Sequence, residues 1–166
     1  MWNLFPSFLV YRLNGGALGI LPLVGDRTPR PFLQSSIFNQ TRGQVSPDGR
    51  WIAYYSGESG RAEVYVTSFP KPAGKWPISK GGGTQPRWRH DGTELFYVAP
   101  GRLVTAVRIT AGSTFEAGAV TPLFTIRGNS YAPTADGRRF VTDEPIGEVG
   151  SRPITVVLNW IAGMKT

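Results

Sequence analysis

Ser46-Pro47-Asp48-Gly49-Arg50-Trp51-Ile52-Ala53-Tyr54-Tyr55 joins a tight-turn tetrapeptide to an unbroken apolar strand. Proline presets φ for the first central turn position, Asp48 follows, and Gly49 supplies the left-handed residue that closes a three-residue hairpin with a bulge. The unit recurs downstream. His90-Asp91-Gly92 leads into Glu94-Leu95-Phe96-Tyr97-Val98, and a weaker third copy, Ala135-Asp136-Gly137, leads into Arg139-Phe140-Val141. Asp48 and Asp91 stand 43 residues apart, Asp91 and Asp136 45.

A period in this range marks a β-propeller, each unit being one small sheet that cannot bury its faces alone. Working outward from the first turn, Trp51 to Ser56 reads as a strand, Gly57 to Arg61 as a polar loop, and Ala62 to Phe69 as a third strand. In that strand Glu63, Tyr65 and Thr67 alternate with Val64 and Val66. An outer strand follows at Lys75 to Ser79. The second copy runs Glu94 to Val98, Leu103 to Ile109 and Val120 to Ile126. The third runs Arg139 to Thr142, a loop from Asp143 to Pro153, and Ile154 to Trp160. Runs such as Leu95-Phe96-Tyr97-Val98 suit strands covered on both faces. No stretch carries a helical period, so no helix of two turns is expected.

The fold class is therefore all-β: a partial propeller of about three to four blades of four-stranded antiparallel sheet. The chain divides as a single propeller region, 1–166, with blades at 1–40 (incomplete), 41–80, 81–127 and 128–166 (incomplete). Upstream, Ser7 to Leu13, Ala17 to Val24 and Pro31 to Gln34 supply three strands of the first blade, with its inner strand missing; the last blade lacks its outer strand. The arrangement is either an open arc or a closed four-bladed ring with Ser7 to Leu13 against Ile154 to Trp160. In the open form Phe8, Val10, Leu18, Ile20 and Leu23 would face no neighbour, and the isolated chain is expected to associate end to end, aggregate, or exist as part of a longer polypeptide.

Composition limits the function classes. The 166 residues contain no cysteine, which excludes disulfides and thiolate metal sites. The net charge of +7 comes from scattered basic residues without a run of five, so no nucleic-acid arm is read. Met1 to Val24 is apolar, but Pro6, Arg12 and Asn14-Gly15-Gly16 interrupt it and no basic segment precedes it. It reads as a hairpin of two strands across Asn14-Gly15-Gly16, not as a targeting or membrane segment, and the segment is expected to be soluble.

Four features carry potential chemistry. His90 is the only histidine, and it takes the turn slot held by Pro47 and Ala135, where it has no nucleophile for company. Asp48, Asp91 and Asp136 read as turn residues bonding their own amides; were the three turns to converge, their carboxylates would suit a hard cation. Lys80-Gly81-Gly82-Gly83-Thr84 offers amides to a phosphate, but it leads into a strand through Pro86 and Trp88, so it reads as a link between blades. Arg87-Trp88-Arg89 interleaves charge and ring, with Trp88 inward; Arg87, Arg89 and Arg108 form a positive face for an acidic partner. No catalytic residue, cofactor site or metal site is assigned.

The segment Ser46 to Tyr54, followed by Glu63-Val64-Tyr65-Val66, resembles the WD-like propeller repeat of the TolB type. The continuation Gly74-Lys75-Trp76 to Gly81-Gly82-Gly83-Thr84-Gln85-Pro86-Arg87-Trp88 resembles the C-terminal propeller of bacterial membrane-anchored serine/threonine kinases. The resemblance spans about residues 17–160. It implies a non-enzymatic interaction or sensor module in a larger protein that is membrane-anchored, with this part outside the cytoplasm. No Gly-rich loop before a strand lysine, His-Arg-Asp or Asp-Phe-Gly occurs. The alternative is a propeller that accompanies a serine peptidase or kinase domain. A protein or small molecule at the propeller rim is the expected partner; nucleic acid is not.

Overall fold

A computed structural model describes residues 3–5, 7–13, 16–33, 40–112, 114–144 and 154–157. These form fifteen strands in four antiparallel sheets. Sheet one contains β1 (Asn3–Phe5), β2 (Phe8–Arg12), β3 (Leu18–Pro22) and β4 (Arg30–Leu33) in chain order. Sheet two follows with β5 (Gln40–Val45), β6 (Trp51–Ser56), β7 (Glu63–Ser68) and β8 (Trp76–Pro77). Sheet three holds β9 (Thr84–Trp88), β10 (Glu94–Ala99), β11 (Leu103–Ala111) and β12 (Phe115–Thr125). Sheet four holds β13 (Tyr131–Pro133), β14 (Phe140–Asp143) and β15 (Ile154–Val157). The helical content among the described residues is one 3-10 turn, Pro100–Arg102.

Strand periodicity explains how the sheets stack, because successive side chains point to opposite faces. On β6, Trp51 and Ala53 join Val64 and Val66 against Trp88, Leu95, Tyr97 and Val107 of sheet three. Ile52 and Tyr54 face the other way, with Tyr65 and Phe69, onto Val10, Leu18, Ile20 and Phe32 of sheet one. Strand β10 repeats the division: Leu95 and Tyr97 face sheet two, while Phe96 and Val98 meet Tyr131 and Phe140 of sheet four. This is why the sequence shows near-continuous apolar runs. It also explains β7, where Glu63 and Thr67 are buried alongside Val64 and Val66: neither face of that strand meets solvent.

The three Asp-Gly turns have one geometry. Gly49, Gly92 and Gly137 have φ of 72°, 74° and 67°, and each donates its amide to the residue three positions back: Ser46, Arg89 and Thr134. Thr134 performs the task of Ser46 in the weak third copy. Its hydroxyl bonds Asp136 Oδ1 at 2.5 Å and accepts the Arg139 amide at 3.2 Å, as Ser46 Oγ bonds Asp48 Oδ1 at 2.5 Å and accepts the Trp51 amide at 3.0 Å.

Three expectations need correction. Sheet one does not lack an inner strand: Asn3 to Phe5 pairs with β2 in the register Asn3↔Val10 and Phe5↔Phe8. Val10, Leu18 and Ile20 do not face empty space; they are the buried face toward sheet two, since their parity on β2 and β3 puts them there. The outer strand of sheet two is only Trp76–Pro77, whereas that of sheet three runs eleven residues. Asn14 and Gly15 of the hairpin turn, and the loop from 145 to 153, lie outside the described residues.

Sheets one to four pack in succession, each junction filled by one buried cluster. No buried cluster among the described residues joins sheet four to sheet one. The architecture is a partial, open propeller.

Candidate functional site

Each turn aspartate accepts a backbone amide of its own turn. Asp48 Oδ1 accepts the Arg50 amide at 3.1 Å, Asp91 Oδ1 the Thr93 amide at 3.0 Å, and Asp136 Oδ1 the Arg138 amide at 3.0 Å. Asp48 and Asp91 share the lining of a 260 Å³ cleft between sheets two and three, with Arg50, Trp51, Trp88 and Thr93; Asp136 does not line it. No three acidic or histidine side chains gather into a metal-sized group among the described residues. His90 is exposed at its turn.

All three carboxyls titrate below the ordinary aspartate range. At Asp48 partial burial pushes upward, but bonds from Ser46 and from the Arg50 side chain and backbone outweigh it. At Asp91 slight burial is likewise outweighed by the Thr93 amide and hydroxyl and by Arg89. At Asp136 the Thr134 hydroxyl and the Arg138 amide lower it. A depressed folded-state value means that the unfolded chain binds protons first as pH falls. The stabilisation is thus complete above about pH 4 and is lost as pH drops through the folded value. The urea midpoint should stay level from about pH 7 to 5 and fall below about pH 4. The Asp48→Asn/Asp91→Asn/Asp136→Asn variant should start lower and show a shallower acid decline; an unchanged decline would rule out the turns as its source.

The glycine-rich link is already occupied by a carboxylate of the protein itself. Glu63 Oε1 accepts the amides of Gly81 at 2.9 Å and Gly82 at 2.8 Å, and its Oε2 accepts the Ser79 hydroxyl. Ser79 Oγ in turn accepts the Val64 amide at 2.8 Å. Gly81 and Gly82 reach φ of 91° and 120°, which lets two consecutive amides converge on one oxygen. The segment does hold an anion, from β7 and not from solution. Sequence reading missed Glu63 because its partners lie 16 to 19 positions away.

The expected positive face of Arg87, Arg89 and Arg108 does not form as such. Arg89 pairs with Asp91 at 3.3 Å and Glu94 at 3.1 Å, and Arg87 is half-buried, burial holding its guanidinium below its ordinary value. Arg108 remains exposed. Trp88 is inward as expected, its backbone amide on Gln44 Oε1 at 2.7 Å and its indole N–H on the Gln44 carbonyl at 3.0 Å.

The inner strands instead carry a feature hidden from local pattern. Arg42 and Gln85 are equivalent, each six residues before its turn aspartate, and both adopt left-handed φ, 53° and 54°. Each sits at a register shift in its ladder, β5 with β6 and β9 with β10. Arg42 Nη1 donates to Gln85 Oε1 at 3.0 Å, and Gln85 Nε2 donates to the Asn129 carbonyl at 2.8 Å, a relay running from sheet two to the entry of sheet four. Beside it, between sheets one and two, opens a cleft of about 410 Å³ lined by Tyr11, Arg12, Leu18, Arg42, Gly43 and Tyr55. The only sequence signal was the offset from the Asp-Gly turn.

No family model matches the chain, and no curated protein matches its sequence. Solved structures share its fold. TolB of Acinetobacter baumannii is 14% identical with a TM-score of 0.70, over 95% of this chain and 40% of that one. A TolB-type protein of Agrobacterium tumefaciens is 21% identical with a TM-score of 0.72, over 99% of this chain and 58% of that one. The tricorn protease is 12% identical with a TM-score of 0.64, over 93% of this chain and 15% of that one. The chain thus spans about half the length of the TolB structures it resembles, and the likeness establishes a TolB-like propeller fold.

Proposed function

We propose that this chain is a non-enzymatic interaction module, part of a larger propeller protein, that binds a protein or small-molecule partner at the inner-strand rim. The observation that carries this reading is the state of its reactive side chains. Each turn carboxylate accepts an amide of its own turn, Glu63 is committed to the glycine link, and His90 is exposed, with no three acidic or histidine groups gathered beside it among the described residues. General acid–base or nucleophilic chemistry needs two such groups within reach of one reacting atom. The cleft between sheets one and two offers guanidinium and phenol groups, which bind and orient.

The match to 15% of the tricorn protease chain favours a second reading. Here the propeller would accompany a peptidase or kinase domain, the chemistry belonging to that domain. The kinase resemblance fits the same arrangement, with the propeller as its sensor end. No helix among the described residues is long and apolar enough to cross a membrane.

The test is an assay of the chain on ester, lactone, peptide and uronate substrates, each with and without divalent cations. Expected is no turnover beyond that of the triple turn variant. Turnover present in the parent and lost in that variant would overturn the non-enzymatic reading.

A further inference from the structure

The cleft between sheets one and two has the makings of a selective oxyanion site. Arg12 and Arg42 both line it, and no carboxylate does among the described residues. Neither guanidinium forms an ion pair with a carboxylate among the described residues. An uncompensated pair of guanidinium groups at a concave surface attracts and holds anions.

Three local devices fix this arrangement. The left-handed bulge at Arg42 re-aims its side chain out of the ladder, and bulges recur where a strand must redirect a functional group. The bond to Gln85 then holds that guanidinium, so little side-chain freedom remains to be lost on binding. At the far wall the Tyr11 ring lies against Gly19, where a Cβ would come within 2.7 Å of the Tyr11 Cζ. Only glycine leaves room for the ring. The floor is closed and apolar: a Cβ at Gly43 would meet Leu18 at 3.0 Å, Ile52 at 3.1 Å and Val10 at 3.3 Å.

We infer that this cleft binds the carboxylate of a peptide whose adjoining side chain is apolar. The assignment rests on reading the chain as a binding module. A planar carboxylate matches the fork of a guanidinium in a bidentate pair, and Leu18 and the rings of Tyr11 and Tyr55 line the space beside it. Inorganic phosphate would satisfy the charge but leave the apolar floor and the rings unused.

Titration of the isotopically labelled chain with N-acetyl-leucyl-phenylalanine, followed by amide NMR, tests this. The free-carboxylate peptide should shift the Gly19 and Gly43 amides. Its carboxamide should bind at least about tenfold more weakly, the scale of one lost charge-assisted hydrogen bond. Arg12→Gln, at an exposed position where folding is not at stake, should weaken binding about tenfold, and Arg42→Lys should lose much of the affinity by surrendering the fork. Equal affinity for the carboxamide, equal affinity for inorganic phosphate, or unchanged binding in Arg12→Gln would each overturn the assignment. Enzymatic turnover would overturn the binding-module reading and leave a measured carboxylate preference standing. Loss of that preference without turnover would defeat the ligand class alone.

Discussion

Phe140→Ala is expected to cost about 3–5 kcal/mol, the range for deleting a fully buried aromatic side chain. Phe140 has no exposed surface, and among the described residues the rings of Phe96 at 5.1 Å, Phe124 at 5.0 Å and Tyr131 at 6.3 Å between centroids pack around it. Phe96 and Phe124 belong to sheet three and Tyr131 to β13, so Phe140 packs sheet four onto sheet three. In a repeat fold, stability is a sum of units and nearest-neighbour junctions. The loss should therefore be local. Hydrogen exchange should show the amides of β13 and β14 losing protection while those of β6 and β10 keep theirs. Phe140→Leu, which keeps most of the volume, should cost roughly 1.5 kcal/mol or less. A uniform loss of protection across all four sheets would mean that the propeller unfolds as one unit, against the junction view.

Glu63→Ala should cost about 2–3 kcal/mol, because it strands the Gly81 and Gly82 amides and the Ser79 hydroxyl that Glu63 now accepts. Glu63 is 6% exposed and its carboxylate holds the segment where the chain passes from sheet two to sheet three. Glu63→Gln keeps one carbonyl oxygen facing the two amides and should cost roughly 1 kcal/mol. The amides of Gly81 and Gly82 should exchange faster in the alanine variant than in the glutamine variant, with urea midpoints in the same order. Equal midpoints for alanine and wild type would show that solvent satisfies those amides as well as Glu63 does.

Much of the fold was legible because its signals are local. An Asp-Gly turn needs only neighbouring residues: a side chain two positions from the amide it accepts, and a glycine free to take positive φ. Spacing the same turn at 43 and 45 residues then counts the sheets. The apolar strands Trp51 to Ser56 and Glu94 to Ala99 declared themselves covered on both sides, and they are. The inner strand Asn3 to Phe5 escaped notice because it joins β2 without an Asp-Gly turn and is only three residues long.

The site was not legible, for a reason of distance along the chain. Arg42 meets Gln85 across 43 positions, and Gln85 meets Asn129 across 44. Nothing in Gln40 to Val45 says that Arg42 leaves the ladder, because a bulge is set by the pairing of two strands and not by one. The arginines that sequence placed on an open face, Arg87 and Arg89, were drawn into burial and ion pairs by neighbours that only folding supplies. Sequence alone determined the repeat, its turns and the two-faced burial of the strands, since these follow from torsional preference and period-two alternation. The tertiary structure alone decided which face of sheet one is covered, which carboxylate fills the glycine link, and which cations remain uncompensated. Those depend on what packs against each group, and each sheet takes its partners from another repeat.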